Sequence, residues 1–220
     1  MNIINLSSSN SILHHFLAEL RDVNIQTDPM RFRRNLERIG ELMAYEISKS
    51  LPYSFIDVKT PLGTANTPLM NTSIVLGTIF RAGLPMHNGM LNYFDRAENA
   101  FLSAYRYYKD KECKEVGIKI EYIASPDLTD KTLIIADPML ATGGSLELGY
   151  EAFCTKGNPS HTHMACIIAS QTGVDYLRHL YGDRSDITLW CAAIDPELND
   201  HSYIVPGLGD AGDLAYGSKL

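Results

Sequence analysis

Cysteine, basic charge and long apolar runs are all scarce in this chain of 220 residues. Its cysteines, Cys113, Cys154, Cys166 and Cys191, are widely spaced, without a C-x-x-C pair or a cysteine–histidine ligand spacing. That argues against a structural zinc site. Unpaired thiols in apolar surroundings suit a reducing compartment, so a cytoplasmic location is expected. Lys and Arg total 19 against 26 Asp and Glu, a net charge of −7. This balance argues against non-specific binding to nucleic acid or to membranes. No apolar run reaches the roughly 18 residues of a membrane span. The start, Met1-Asn-Ile-Ile-Asn-Leu-Ser7, has neither the basic region nor the apolar core of a signal peptide. A dinucleotide fingerprint is missing, because G-x-G-x-x-G does not occur, and no Gly-Lys-Ser or Gly-Lys-Thr provides a Walker A loop. Internal repeats and low-complexity tracts are absent too.

What is present is concentrated in Asp137-Pro-Met-Leu-Ala-Thr-Gly-Gly-Ser145. The apolar run Thr132–Ala136 before it reads as a buried parallel strand, and Leu146–Phe153 after it as an amphipathic helix. Strand, Gly- and Thr-rich loop, helix: this layout makes an anion cradle. Gly143 and Gly144 let backbone N–H groups close around phosphate oxygens. The helix start adds its positive dipole end. Thr142 and Ser145 add hydroxyls. Asp137 places a carboxylate at the strand end, where a sugar hydroxyl or a metal could sit. A phosphate with an acid beside it points to a phosphorylated sugar.

With 45% hydrophobic and 20% charged residues, the length suits one domain with a full core. Residues 1–12 are polar and are expected to extend from the body or pack on a partner. Leu13–Arg21 reads as a short helix. Asp28-Pro29 starts a longer one, to about Ser50, with Phe32, Leu36, Ile39, Leu42, Met43 and Ile47 on one face. Arg31, Arg33, Arg34 and Arg38 on it read as a solvated or subunit-facing surface. A strand pair at Phe55–Thr60 and after Gly63 falls outside the main sheet. Strands are expected within 71–80, at 101–106, 118–123, 132–136, 162–169 and 187–193. Helices are expected at 86–94, 145–156 and 172–181. This alternation predicts an α/β fold with a central, mainly parallel sheet flanked by helices. Ligands then belong at the carboxyl ends of the strands, where Arg81, Arg106, Asp137–Ser145 and Asp195 fall.

The loop Asp137–Ser145 resembles the ribose-phosphate loop of the type I phosphoribosyltransferases, in the form of the uracil phosphoribosyltransferase family. Tyr203-Ile-Val-Pro-Gly-Leu-Gly-Asp-Ala-Gly-Asp213 resembles that family's uracil-binding segment. Phe80-Arg-Ala-Gly83 resembles its Arg-Ala-Gly turn. The resemblance spans roughly residues 20 to 217. It implies a single phosphoribosyltransferase domain over 1–220, with a small hood from N-terminal elements and about 195–220, and a mobile loop at about 106–120. It implies transfer of 5-phosphoribosyl from 5-phosphoribosyl pyrophosphate (PRPP) to uracil, giving uridine monophosphate (UMP) and pyrophosphate in pyrimidine salvage. It also implies Mg²⁺ as cofactor, a homodimer or higher homo-oligomer, and for some members a GTP effector.

Residue by residue, the resemblance assigns PRPP to Arg81, Arg106, Asp137, Pro138, Met139, Leu140, Ala141, Thr142, Gly143, Gly144, Ser145 and Asp210. Uracil falls to Ile204, Gly209, Asp210 and Ala211. Arg106, Asp137 and Asp210 are the catalytic set, and Asp210 is the metal contact. Ala136 stands where many type I enzymes carry the first of two adjacent acids, as the resemblance to the uracil-specific branch implies. Two departures stand out. The loop opens Tyr105-Arg-Tyr-Tyr108 where relatives often read Tyr-Arg-Asn-Glu. Glu121-Tyr-Ile-Ala-Ser-Pro126 lacks the lysine that relatives carry, leaving Lys119 or Lys131 to substitute. The runner-up reading is a catalytically weak regulator of the same fold that senses PRPP or a nucleotide.

Overall fold

The computed structural model describes residues 1–108 and 116–219, with side chains for all of these except 104–108 and 116–120. The chain opens with β1 (Asn2–Asn5), a 3₁₀ turn, α1 (Leu13–Arg21) and α2 (Pro29–Ser48). Then come β2 (Tyr53–Thr60), β3 (Gly63–Met70), β4 (Ile74–Phe80), α3 (Gly83–Leu91), β5 (Glu98–Tyr108) and β6 (Val116–Ala124). β7 (Thr132–Ala136), β8 (Met139–Leu140), α4 (Gly144–Cys154), β9 (His161–Ser170) and α5 (Gln171–Tyr181) follow. The last elements are β10 (Ile187–Asp195), β11 (Glu197–Leu198), β12 (Ile204–Val205) and α6 (Ala211–Tyr216).

The main sheet runs β1-β10-β9-β7-β4-β5-β6, with β8 added on β9. Its pairs are parallel except β5 with β6. β7 is buried along its whole length, as its unbroken apolar run requires of a strand covered on both faces. Alternate residues then serve opposite layers. Ile134 and Ala136 pack with α1, α2 and α3, whereas Leu133 and Ile135 pack with α4 and α5.

Helix α2 starts where the sequence predicts, because Asp28 accepts from the N–H groups of Met30 and Arg31 and Pro29 opens the first turn. β2 and β3 form a separate two-stranded hairpin, also as expected. Cys166 and Cys191 are fully buried free thiols, and Cys154 is half-buried.

Two expectations need correction. Residues 2–5 do not leave the body: they form the edge strand, parallel to β10, and the Ser7 hydroxyl donates to the Ala192 carbonyl at 2.6 Å. Ile3 and Ile4 join opposite core layers, and two apolar residues are too short a run to show that period. Helix α3 begins at Gly83, directly after the Arg-Ala-Gly turn, rather than at Met86. The stretch 109–115 of the expected mobile loop lies outside the described residues.

Candidate active site at the strand ends

β4 and β7 lie side by side, with Thr78 opposite Ala136, and the Thr78 hydroxyl donates to the Ala136 carbonyl at 3.3 Å. The chain leaves β4 into Arg81 and β7 into Asp137, so two of the sequence candidates emerge from neighbouring strands at the carboxyl edge. The turn meets the end of β7, where the loop begins. A Cβ on Gly83 would fall 2.7 Å from the Ala136 carbonyl oxygen.

The first half of the Asp137–Ser145 loop is tied down onto β9. Asp137 N–H donates to the Ala165 carbonyl at 3.1 Å, and Asp137 Oδ1 accepts from Met139 N–H at 3.3 Å. The Pro138 carbonyl accepts from the N–H groups of Ile167 and Ile168. Met139 and Leu140 pair with Ile168 and Ala169. The Ser170 hydroxyl donates to the Ala141 carbonyl at 2.5 Å while accepting from Gly173 N–H at 2.9 Å. Pro138, Leu140 and Ala141 are buried, so after Asp137 this half supplies a rigid base rather than polar side chains.

The second half is more exposed. Thr142 is exposed, and Ser145 is half-buried. Gly143 caps α4 in a left-handed conformation, φ +96°, and no side chain caps the helix start. The first amides of any helix lack intrahelical partners. Where Asp28, Ser170 and Asp210 satisfy such amides in α2, α5 and α6, the start of α4 has no such cap. A Cβ on Gly143 would lie 2.4 Å from Tyr176 Cδ1. Glycine is therefore required both by the dihedral and by the ring of α5 against it. Tyr176 is itself held, its hydroxyl donating to Glu147 at 2.7 Å.

The C-terminal segment comes to the same place. Arg81 Nη2 donates to Asp213 Oδ1 at 2.6 Å, and Nη1 to the Gly217 carbonyl at 3.0 Å. A Cβ on Gly212 would sit 3.3 Å from Arg81 Nη2 and 3.2 Å from Asp210 Oδ1. Asp210 caps α6 by accepting from Asp213 N–H at 2.9 Å, and its other oxygen lies 3.6 Å from Lys219 Nζ. Ile204 and Ala211 are buried, Gly209 is exposed with φ +90°, and the Val205–Pro206 bond is cis. Arg81 thus links the turn after β4, which meets the end of β7, to residues 212–217 of the C-terminal segment. The Arg106 backbone pairs with Ile118, and its side chain lies outside the described residues.

Other candidates are placed elsewhere. The Asp195 carboxylate is engaged within the protein: it receives both prongs of Arg21, at 2.7 Å each, and accepts from Gly207 N–H. Lys131, a substitute for the missing lysine, pairs with Glu98 at the opposite edge of the sheet, and the side chain of Lys119 lies outside the described residues. The α2 arginines are engaged locally: Arg31 with Glu19 and Arg34 with Glu37. Hydrogen bonds from Arg31 and Asn35 hold the Glu19 carboxyl down at about 2. Arg33 instead donates to the Ala215 carbonyl at 2.6 Å and sits over the Tyr216 ring. Sequence reasoning missed the roles of Arg21 and Arg33, since nothing local marks a residue whose partner is 174 or 182 positions away.

His163 is buried, and desolvation lowers it to about 3, so it is a neutral acceptor for Trp190 Nε1 at 3.1 Å. Among the described residues no group of three or more His, Cys, Asp or Glu could hold a metal by itself, and no helix is long and apolar enough to cross a membrane. A cleft of about 530 Å³ beside Tyr150, Cys154, Arg184 and Asp186 lies at the other end of β10. Its arginine is already taken by Asp186 and Tyr150, which leaves little for an anion.

Comparison with known proteins is consistent along the whole chain. Residues 7–218 match the family model described as uracil phosphoribosyltransferase. The uracil phosphoribosyltransferase of Porphyromonas gingivalis is 60% identical over 220 residues, covering all of both chains. That of Methanothermobacter thermautotrophicus is 40% identical over 210 residues, 94% of this chain and 93% of the relative. Among solved structures, the AQ2163 protein of Aquifex aeolicus superposes with a TM-score of 0.84 at 29% identity, covering 99% of each chain.

Proposed function

The chain belongs to the uracil phosphoribosyltransferase family, and we propose that Arg81, the Asp137–Ser145 loop and the Ile204–Ala211 segment are the parts with which it works. It is a pentosyltransferase of type I phosphoribosyltransferase fold that transfers 5-phosphoribosyl from PRPP to uracil, giving UMP and pyrophosphate. The observation that supports the site assignment is the Arg81 turn, which meets the end of β7, where the loop begins, through Gly83 and reaches the residues just after the uracil segment through Asp213.

In the reaction the C1–O bond to pyrophosphate breaks, N1 of uracil bonds to C1, and the N1 proton is released. Positive charge grows on the ribose ring and negative charge on the leaving group. The 5-phosphate sits at the uncapped start of α4, among the amides of Gly143, Gly144 and Ser145 and the hydroxyls of Thr142 and Ser145. Asp137 takes a ribose hydroxyl. Arg81 grips the pyrophosphate with paired donors once it exchanges Asp213 and Gly217 for phosphate oxygens, and Arg106 is its second cation. Main-chain groups of Ile204, Gly209 and Ala211 match the two carbonyls and N3–H of uracil. A backbone-lined pocket of this kind rejects cytosine by leaving polar groups unpaired. Catalysis is then positioning and charge stabilisation.

Mg²⁺ fits this donor set. A hard cation bound through a carboxylate and substrate phosphates needs no protein cage, and Asp210 is the carboxylate proposed for it. When bound, the ion neutralises the departing pyrophosphate. The wider reading is a cytoplasmic salvage enzyme of one domain, whose hood is tied from both chain ends by Arg21 to Gly207 and Arg33 to Ala215. A homo-oligomer is supported by the hairpin β2–β3, which presents Phe55 at 72% and Leu62 at 100% exposure, with Ile56 and Leu69 beside them.

The test is UMP formation from PRPP, Mg²⁺ and uracil, with adenine, guanine, hypoxanthine and cytosine in parallel. Product is expected with uracil alone, and Asp210→Asn, which can still cap α6, is expected to lower turnover about 100-fold. PRPP binding without turnover on any base would overturn the reading in favour of a regulator.

A further inference from the structure

Gly207 is held by both of its backbone hydrogen-bonding groups. Its N–H donates to Asp195 Oδ2 at 2.9 Å, and its carbonyl accepts from Arg21 Nη1 at 2.9 Å. The same two side chains are joined by a two-pronged ion pair, Nη1–Oδ2 and Nη2–Oδ1 at 2.7 Å each. Asp195 is only 5% exposed. Each partner stands at the end of a rigid element. Arg21 closes α1, whose Leu13, Leu17 and Leu20 are buried, and its own carbonyl accepts from Gln26 Nε2 at 3.0 Å. Asp195 closes β10, in register with Ser170 of β9.

Gly207 lies between the residues assigned to uracil. Upstream, Ile204 pairs with Leu198 across β11 and β12. Downstream, Asp210 caps α6. The turn between them is too tight for a side chain: φ at Gly207 is +56°, and a Cβ there would fall 2.1 Å from the Ile204 carbonyl oxygen. A base pocket made of main-chain atoms has no side chain of its own to adjust it, so its geometry is set by whatever holds the backbone.

We propose that the Arg21–Asp195 pair is a positioning device for base recognition. It sets the backbone path from Ile204 to Gly209 and so governs uracil affinity and base selectivity, while Asp210, assigned to PRPP as well, is fixed separately as the cap of α6. The proposal rests on the assignment of that segment to uracil. It explains why the pair is an arginine and a carboxylate: the planar fork spends its donors on Asp195 and Gly207 together, which a lysine cannot do with the same geometry.

The experiment compares the wild-type chain with Arg21→Ala, Arg21→Lys and Asp195→Asn. It reads the KM for uracil, the Kd for PRPP by equilibrium dialysis without uracil, and amide exchange of the 204–210 peptide. Arg21→Ala should raise the KM for uracil about tenfold or more, since small misplacement is costly, while the Kd for PRPP stays within about twofold. Exchange at 204–210 should quicken, and Arg21→Lys should recover part of the uracil affinity. Should Arg21→Ala fail to fold, Arg21→Lys and Asp195→Asn carry the same comparison. A parallel loss of uracil and PRPP affinity, or an unchanged KM for uracil with a loosened Gly207 amide, would overturn the proposal. Failure of the wild type to make UMP would instead sink the functional reading beneath it, and the wild type assayed alongside tells the two apart.

Discussion

Between Asp137 and Ser145 the chain is held by its own neighbourhood. Asp137 accepts from Met139, and Ser170, 29 residues on, secures Ala141. Between Ile204 and Gly217 it is held by Arg21, Arg33 and Arg81, at sequence separations of 186, 182 and 136 residues. The side proposed for phosphate is therefore a local motif, complete once β7, α4 and β9 are packed. The side proposed for the base is assembled by tertiary structure and depends on α1, α2 and the turn after β4. On that proposal the site can change how it holds a base without disturbing how the loop holds the 5-phosphate, with Arg81 and Asp210 joining the two sides.

The sharpest way to break that division is at Gly143. Gly143→Ala meets both the left-handed dihedral and the Tyr176 ring 2.4 Å from the new Cβ, so turnover should fall about 100-fold with the fold retained by circular dichroism. Adding Tyr176→Ala removes the overlap but not the dihedral strain, so recovery should be partial. On the base side, Gly207→Ala places a Cβ 2.1 Å from the Ile204 carbonyl oxygen and should raise the KM for uracil about tenfold in steady-state assays.

His163 serves as a control outside both regions. It is held near 3 by burial, against an ordinary 6.5, so the folded chain binds fewer protons than the unfolded chain between these values. Its contribution is present above pH 6.5 and is lost as pH falls towards 3. Tm should therefore drop on acidification below pH 6.5, and the slope should flatten by up to about 1 kcal/mol per pH unit in His163→Gln. The KM for uracil at neutral pH should not move. The smallest effect belongs to Tyr176→Phe. It keeps the ring over Gly143 and loses one exposed hydrogen bond to Glu147, a change of about 0.5 kcal/mol or less in thermal unfolding.

What could be read from the sequence follows the same line. Asp28-Pro29, Thr132–Ala136 and the loop to Ser145 carry their signals within a few residues, and the structure builds them as expected. The strand–helix alternation likewise predicts the parallel sheet, because each βα unit declares itself locally. The edge strand Asn2–Asn5 was illegible because Ile3 and Ile4 gain meaning only beside Thr188–Cys191. Asp195 reads as a ligand group at a strand end until Arg21 is seen opposite it. Arg33 looks like one more surface cation among the α2 arginines, and only folding brings it to Ala215.

The most direct test of this division is the PRPP affinity of the wild type, Gly143→Ala and Gly207→Ala, measured by calorimetry without uracil. Gly143→Ala should weaken binding about tenfold or more, and Gly207→Ala should stay within about twofold of wild type. Equal weakening by both substitutions would contradict the division and show a single site in which phosphate and base are held together.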